Sequence, residues 1–348
     1  MGRIDFGRKY VQLKGPLKLR LDVRSMCVTA VFLAAVIALS LFSLVVGTYK
    51  LSIAEVFSAL FGELTGFKQT IVIDWRLPRV LAAIVFGAGL AVSGSIFQSI
   101  TRNPLGSPDI LGFTTGSYTG ALVVMLVFKS MSFASIAIGA LIGGFATAFI
   151  IYLLAFRKGT QGFRLIITGI AISTILSSIN SMLLLQSQAE VALTAGAWGV
   201  GSLNGIDWTH VLPAIVLVLV LLILAMIMNR PLREIELGKD VAKSHGVHFE
   251  RTQLLLIVIA VALTASATAI MGPVTFVALA APQIALRFTN TAESLVPTAT
   301  VGAFVLLSAD VLAQRIIPGM LLPVGVLTLS LGGLYLAWLL FRQARSTT

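Results

Sequence analysis

The sequence predicts an all-α, polytopic membrane protein with ten transmembrane helices and both termini in the cytoplasm. Hydrophobic residues make up 57% of the 348 positions and charged residues only 11%, a balance outside the range of soluble globular domains. The apolar residues form ten runs, most of them long enough to cross a hydrocarbon core of about 30 Å at about 1.5 Å per helical residue. With ten crossings, nineteen of the 25 Lys and Arg residues fall on cytoplasmic segments and six on outer ones, and this asymmetry is the one that sets orientation in membranes.

The first span follows a basic tail. Residues 1–26 carry seven Lys and Arg residues and two Asp residues. The apolar run at 27–47 is too long for the core of a signal peptide and lacks a cleavage site. We therefore interpret 1–26 as a cytoplasmic tail and 27–348 as one membrane domain. The outer segment 48–75 alternates apolar and polar residues, which predicts a short amphipathic helix.

Nine further apolar runs follow, at 80–100, 110–128, 132–156, 163–186, 210–229, 253–272, 274–288, 296–313 and 323–341. The run at 274–288 is the weakest, because it is short and contains Pro282. If it did not cross, the basic C-terminus would lie outside, against the charge rule, so ten crossings are favoured over nine.

Composition and motifs exclude several classes of function. The single cysteine, Cys27, excludes an internal disulfide. No phosphate-binding GxxxxGK[ST] motif is present, so the chain is not expected to bind ATP by that route. No catalytic residues, metal site or cofactor are expected, and the scattered basic residues do not predict a nucleic-acid surface. A secondary transporter driven by ions would need charges near the middle of its spans, where this sequence has almost none.

The stretch from Arg76 to Phe113 organises the chain. It reads RLPRVLAAIVFGAGLAVSGSIFQSITRNPLGSPDILGF. Arg76 and Arg79 lie at the outer boundary, where positive charge is scarce; they fit snorkelling or, as we favour, pairing with carboxylates of an external partner. The turn at 103–108 contains two prolines and a glycine and cannot continue a helix. This turn is the first candidate for a gate, since its free backbone groups must face water or protein.

Three other features are candidates for function. The internal segment at 230–250 contains Gly238 and Gly246, which bracket about two helical turns of small and charged residues. It predicts either a short helix that docks on a cytoplasmic partner or a solvated loop. The fifth span places small polar residues on one helical face, which indicates helix packing or a pathway. Asp310 lies near the outer end of the ninth span, where an interfacial hydrogen-bonding role is at least as favoured as a functional one.

These residues also resemble a known family. The run WRLPRVLAAIVFGAGLAVSGSIFQSITRNPLGSPDILG is similar to the FecCD-type permeases, and the similarity continues through LGKDVAKSHGV, GPVTFVALAAPQIALRF and LPVGVLTLSLGGLYLAWLL. It covers roughly residues 30–343. The family comprises the membrane subunits of bacterial ABC importers for ferric siderophores, haem and cobalamin, with the type II importer permease architecture. The IFQS, RNPLGSPD, TAGAWGVGSLNG and ALTASATAIMGPVTF segments most resemble permeases for catecholate siderophores of the ferric enterobactin kind.

The resemblance implies partners and an absence of catalysis in this chain. We expect a second permease subunit, identical or related, two cytoplasmic ABC ATPase subunits that hydrolyse ATP, and an extracytoplasmic substrate-binding protein. The cargo expected is a ferric siderophore, with haem or cobalamin as alternatives, carried across the cytoplasmic membrane. An ion-driven secondary transporter remains a much weaker alternative.

The resemblance also implies roles for individual residues. Those for docking of the binding protein are Arg76 and Arg79, with Arg315 beside Gln314, where the family has a third arginine. Those for the cytoplasmic gate are Asn103, Pro104 and Leu105. Those for coupling to the ATPase are Gly238, Asp240, Ala242 and Gly246. Those for the translocation path are Ser173, Ser177 and Asn180. The family's histidine in the eighth span is Gln283 here, so its role does not transfer.

Overall fold

The computed structural model describes residues 10–13, 19–155, 162–290, 294–317 and 319–346. Within them lie the helices α1 (Val23–Val45), α2 (Ile53–Leu60), α3 (Phe67–Thr70), α4 (Leu77–Thr101), α5 (Phe113–Leu122), α6 (Phe133–Ala155), α7 (Gly162–Leu185), α8 (Ala189–Gly199), α9 (Trp208–Ile227), α10 (Asn229–Leu237), α11 (Lys239–Ser244), α12 (Phe249–Met271), α13 (Val277–Thr289), α14 (Leu295–Ala313) and α15 (Val324–Ser346). A π-helical turn at Ile71–Arg76 joins α3 to α4, and another at Val123–Val127 extends α5. The predicted helical fold is confirmed.

The tail adds one element that the sequence did not predict. Strands β1 (Tyr10–Leu13) and β2 (Leu19–Asp22) pair as an antiparallel hairpin. Asp22 then caps α1, because its Oδ1 accepts a hydrogen bond from the backbone N–H of Arg24 at 3.1 Å. The first span therefore begins at Val23, four residues before the predicted start. The rest of the predicted tail, residues 1–9 and 14–18, lies outside the described residues.

Seven described helices are long and apolar enough to cross a membrane: Val23–Val45, Phe67–Thr101, Phe133–Ala155, Gly162–Leu185, Trp208–Ile227, Phe249–Met271 and Leu295–Ala313. Three shorter apolar helices, Phe113–Val127, Val277–Thr289 and Val324–Tyr335, coincide with the remaining predicted runs. The structure is thus consistent with ten spans. The short run with Pro282 is a helix of 13 residues.

Helix α4 is the centre of the bundle. It packs against α9, α12, α13 and α14, and nearly every residue from Ala82 to Thr101 is buried. Small residues allow this close packing: a Cβ added to Gly87 would lie 2.5 Å from the carbonyl oxygen of Gly302 in α14. Without a strong hydrophobic force between helices in lipid, such close van der Waals contact is a main source of helix association.

Helices α5 and α6 meet through two matching glycine pairs. Gly116 and Gly120 in α5 face Gly139 and Gly143 in α6, which is the GxxxG spacing on both sides. A Cβ added to Gly120 would lie 2.0 Å from the Gly139 carbonyl oxygen. This spacing lets two helix backbones touch in lipid.

We expect Gly143→Ala to weaken the α5–α6 contact. The new Cβ would lie 2.3 Å from the carbonyl oxygen of Gly116 and 2.9 Å from Cα of Gly120, so the helices must separate. Overpacking of this kind costs about 1–3 kcal/mol, which a thermal unfolding assay of the purified protein in detergent would detect. Gly333→Ala in α15 is the control, because its Cβ would meet no atom within 4 Å. Equal loss in both variants would contradict the packing argument.

Two short helices occupy the predicted connections. α2 lies in the outer segment, and Ser52 and Glu55 form a capping box at its start, which confirms the predicted amphipathic helix. α11 lies between Gly238 and Gly246, as the glycine bracket predicted. The terms outer and inner denote the two sides of the membrane as the predicted topology assigns them.

Candidate functional site

Arg79 is held by a buried carboxylate at the outer end of α4. Its Nε lies 3.0 Å from both Oδ1 and Oδ2 of Asp310, and its Nη2 lies 2.7 Å from Oδ1. The Asp310 side chain is fully buried and that of Arg79 is 13% exposed. Gln314 adds a hydrogen bond from Nε2 to Asp310 Oδ2 at 2.7 Å. The position that carries the family's third arginine therefore supports the Arg79–Asp310 pair.

Arg76 caps the end of α1. Its guanidinium donates to the carbonyl oxygens of Leu44, Val45 and Tyr49. The last carbonyls of a helix lack partners within the helix, and a guanidinium offers several donors in one plane. Arg76 thus fixes the chain where it leaves the first span, and its side chain remains half-buried at the outer surface.

Arg315, two residues after the end of α14, completes the same cap. It donates to the carbonyl oxygens of Val46 and of Val311, the second at 3.0 Å, and its guanidinium carbon lies 4.8 Å from the ring centre of Phe42. The three predicted docking arginines therefore lie together at the outer end, each with intramolecular contacts. Their role in docking remains a prediction. The sequence indicated Asp310 as a hydrogen-bonding group but did not identify Arg79 as its partner.

The predicted gate is a compact turn at the inner end of α4. Arg102 ends the helix with a φ of 49°. Asn103 Oδ1 then accepts a hydrogen bond from the Leu105 backbone N–H at 2.9 Å, and the Asn103 carbonyl accepts one from Gly106 at the same distance. Asn103 shapes the turn in this way, while the Leu105 side chain is 43% exposed at its tip. Pro104 between them is also exposed.

The chain after this turn is anchored to two other helices. Asp109 Oδ2 accepts a hydrogen bond at 3.2 Å from the backbone N–H of Phe276, the residue that precedes α13. Gly112 packs on α7, where a Cβ would lie 2.9 Å from Cβ of Ser173. The Asp109 contact could not be predicted from the sequence, because its partner is a backbone group more than 160 residues away.

Gln283 lies where the resembling family has a histidine, and its side chain makes a hydrogen bond to α4. Its Nε2 donates to Gln98 Oε1 at 2.7 Å, and Gln98 Nε2 donates to the Leu279 carbonyl oxygen at 3.1 Å. Gln98 is almost fully buried. This pair connects α4 and α13 close to the gate turn.

The predicted coupling segment, residues 230–250, contains α11. Gly238 has a φ of 117° and Gly246 a φ of 81°, so the glycines form the ends of α11. Ala242 is fully buried within the chain, whereas Asp240 is exposed. Ala242 therefore sets how α11 sits on the bundle, and a partner would meet the neighbouring charged residues. A groove of about 510 Å³ beside α11 is lined by Lys243, Gly246, Val247, His248, Glu250 and Arg251.

Polar contacts hold α11 on both sides. Glu250 Oε1 in α12 lies 2.9 Å from Lys239 Nζ and 3.2 Å from Lys243 Nζ. These contacts lower the pKa of Glu250 to about 2, and the hydrogen bond from Lys239 is the largest cause. His245 Nδ1 lies 2.6 Å from Glu234 Oε2 in α10. The segment is thus one connected unit.

The predicted path residues of α7 do not share one exposed face. Ser173 Oγ lies 3.1 Å from Thr115 Oγ1 of α5. Ser177 is exposed, whereas Asn180 is 4% exposed, and its amide atoms have no hydrogen-bond partner among the described residues. Their role in translocation stays a prediction.

The fold and the two ends of α4 define the class of protein. Apolar helices surround a buried central helix that joins an outer arginine cluster to an inner turn, as in a multi-pass transport protein. The FecCD transport family model matches residues 35–342, so the chain belongs to that family. The predicted family and the predicted location in the cytoplasmic membrane are confirmed.

Individual relatives agree with the family assignment. The ferric enterobactin transport system permease protein FepG of Escherichia coli (strain K12) is 45% identical over 92% of this chain and 98% of its own length. The hemin transport system permease protein HmuU of Yersinia pestis is 35% identical over 77% of this chain and 82% of its own. An inward-facing metal-chelate type ABC transporter structure superposes with a TM-score of 0.80 at 26% identity, covering 91% of this chain and 99% of that one.

Proposed function

We propose that the chain is the non-catalytic permease subunit of an ATP-driven ABC importer that carries a ferric siderophore of the catecholate class across the cytoplasmic membrane. The observation that carries this proposal is the 45% identity to FepG over 98% of that permease. The match includes the gate turn and the coupling segment.

Three kinds of partner would complete the importer. A substrate-binding protein docks on the outer face, a second permease subunit completes the central path, and two ABC ATPases bind the coupling segment around α11. ATP binding and hydrolysis in the ATPases move the helices as largely rigid bodies. Rigid-body movement fits this fold, because close backbone contacts hold α4 against its neighbours.

The cargo leaves at the inner end. Leu105 presents an apolar side chain at the tip of the gate turn, and Asn103 fixes the turn by its hydrogen bond to the backbone. Displacement of α4 or of the anchored chain at Asp109 would move this tip. A wide and weakly binding path suits a large ferric complex, since tight binding would hinder release.

Growth of a deletion strain on individual iron sources tests the substrate class. We expect loss of growth on one or more ferric catecholate siderophores, restored by the cloned gene, with unchanged use of haem and cobalamin. The similarity to HmuU makes haem the specific second candidate. Normal uptake of every ferric siderophore together with lost haem or cobalamin uptake would falsify the substrate assignment.

Docking through the outer arginines gives a further prediction. Arg76→Glu should weaken binding of the substrate-binding protein by about tenfold, which corresponds to about 1.4 kcal/mol. The remaining affinity should depend less on ionic strength, because a favourable charge pair is lost. Titration of the binding protein onto the reconstituted permease at several salt concentrations measures both effects.

Two variants control for structure. Lys50→Glu makes the same charge change at an exposed outer residue and should have little effect. Arg76→Lys keeps the charge but loses the planar group that caps α1, so it separates docking from capping. Unchanged affinity in Arg76→Glu would rule out its docking role.

A further inference from the structure

Helix α10 contacts the inner end of α4 directly. Leu232 and Ile235 are buried on one face of α10. On the same helix, Glu236 Oε1 accepts a hydrogen bond from Ser99 Oγ of α4 at 3.2 Å. Arg102, the residue after α4, donates from Nη2 to the Ile235 carbonyl oxygen at 3.4 Å. The last turn of α4 and the residue after it are therefore joined to α10 by two polar contacts.

These contacts lie next to the gate turn in the chain. Asn103 directly follows Arg102, and the Asn103 backbone N–H still bonds to the Gln98 carbonyl oxygen at 3.2 Å. The start of α7 also packs closely against the last residue of α4, because a Cβ added to Gly162 would lie 2.3 Å from the Thr101 carbonyl oxygen. A shift of the last turn of α4 must therefore shift the gate turn.

The same C-terminal end of α10 is joined to α11. The pair between His245 and Glu234 links α11 to α10, and Glu250 links α11 to α12. Because of these contacts, a displacement of α11 would also displace α10.

Glu236 is suited to hold this contact. It is half-buried, and burial raises its pKa above the usual value, while Ser99 and the charges of Arg233 and Arg102 lower it. A hydrogen bond to a charged group is about twice as strong as one between neutral groups. Ser99 and the two arginines offset part of the hydration that the Glu236 carboxylate loses on burial.

We propose that Glu236, bonded to Ser99 and flanked by the Arg102–Ile235 contact, is a positioning residue that transmits movement of the coupling segment to the inner end of α4 and the gate. This inference rests on the proposed function as an ATP-driven importer. Neither Ser99 nor Glu236 touches cargo in this account.

The test uses the assembled importer, with its ATPases and binding protein, in proteoliposomes. Ser99→Ala and Glu236→Ala should each keep ATP hydrolysis but raise the ATP used per ferric siderophore delivered by roughly fivefold to tenfold, which is within the range for the net loss of one hydrogen bond. The double variant should be no worse than either single one. Glu236→Gln should recover most of the coupling, because its amide oxygen can still accept from Ser99.

Ser40→Ala is the matched control, since the Ser40 hydroxyl donates to the Val36 carbonyl oxygen within α1. It should couple like the wild type. Wild-type coupling in Ser99→Ala and Glu236→Ala, or additive losses in the double variant, would overturn the proposal. Absence of ATP-dependent uptake by the wild-type complex would instead overturn the proposed function.

A second measurement tests the proposal if the alanine variants assemble poorly. Ser99→Cys and Glu236→Cys are combined in a chain with Cys27→Ala, and oxidative crosslinking is compared with and without ATP. A contact that moves as a unit should crosslink equally in both states. Crosslinking in one state alone would show that the contact opens during the cycle, which contradicts transmission through it.

Discussion

Gly94→Ala should prevent the chain from folding into a stable bundle. A Cβ on Gly94 would lie 1.7 Å from the carbonyl oxygen of Ala278 and 2.6 Å from its carbonyl carbon. Both atoms belong to the backbone of α13, so no side chain can turn away. Pro282 has no N–H to bond the Ala278 carbonyl, which explains why this oxygen can face α4. We expect a loss above about 3 kcal/mol, beyond ordinary overpacking.

The measurement is the yield of folded protein in the membrane together with its unfolding temperature in detergent. Gly196→Ala is the control, because this glycine is also helical but its Cβ would meet nothing within 4 Å. It should leave stability unchanged or raise it slightly, since Ala favours helices. A Gly94→Ala protein with normal yield and stability would show that α4 and α13 are not packed as described.

Removal of Asp310 is the second change with a large expected effect. Asp310→Ala would leave the Arg79 side chain, 13% exposed, without the carboxylate to which it now donates three hydrogen bonds. Breaking a buried pair by removing one partner costs about 3–5 kcal/mol. Thermal unfolding of the purified chain should therefore show a large decrease.

The double variant Arg79→Met with Asp310→Leu tests the cause. Replacing both partners by apolar residues is often neutral or stabilising, so most of the stability should return. If it does, the folded protein without Arg79 also measures what this arginine adds to docking. A double variant as unstable as Asp310→Ala would show that the carboxylate has another structural role, and a stable Asp310→Ala would contradict the ion pair.

The helical fold could be predicted from the sequence, because in lipid the local composition of a segment determines whether it forms a spanning helix. Each span must satisfy its own backbone hydrogen bonds, so long apolar runs predict helices directly. Where it failed, hydrogen bonds outside the apolar runs and contacts between distant segments decide. The hairpin β1–β2 depends on pairing between tail segments, and Val23 starts α1 because Asp22 caps it. Two neighbouring arginines in the sequence gave no indication that Asp310, 231 positions after Arg79, binds one of them.

The candidate sites were predictable as positions but not as orientations. Glycine spacing located α11, yet it could not show that Ala242 faces inwards. Helical spacing placed Ser173, Ser177 and Asn180 near one another, but contact with α5 and the burial of Asn180 depend on how neighbouring helices pack. The link between Ser99 and Glu236 joins two segments 137 residues apart, which a single sequence does not reveal.

Uptake of a ferric catecholate siderophore into proteoliposomes tests the central claim most directly. The vesicles would contain this chain with its permease and ATPase partners, with the binding protein outside. We predict uptake that requires ATP and the binding protein and that persists when ion gradients are collapsed. Uptake that needs no ATPase and follows an ion gradient would contradict the assignment as an ABC importer permease.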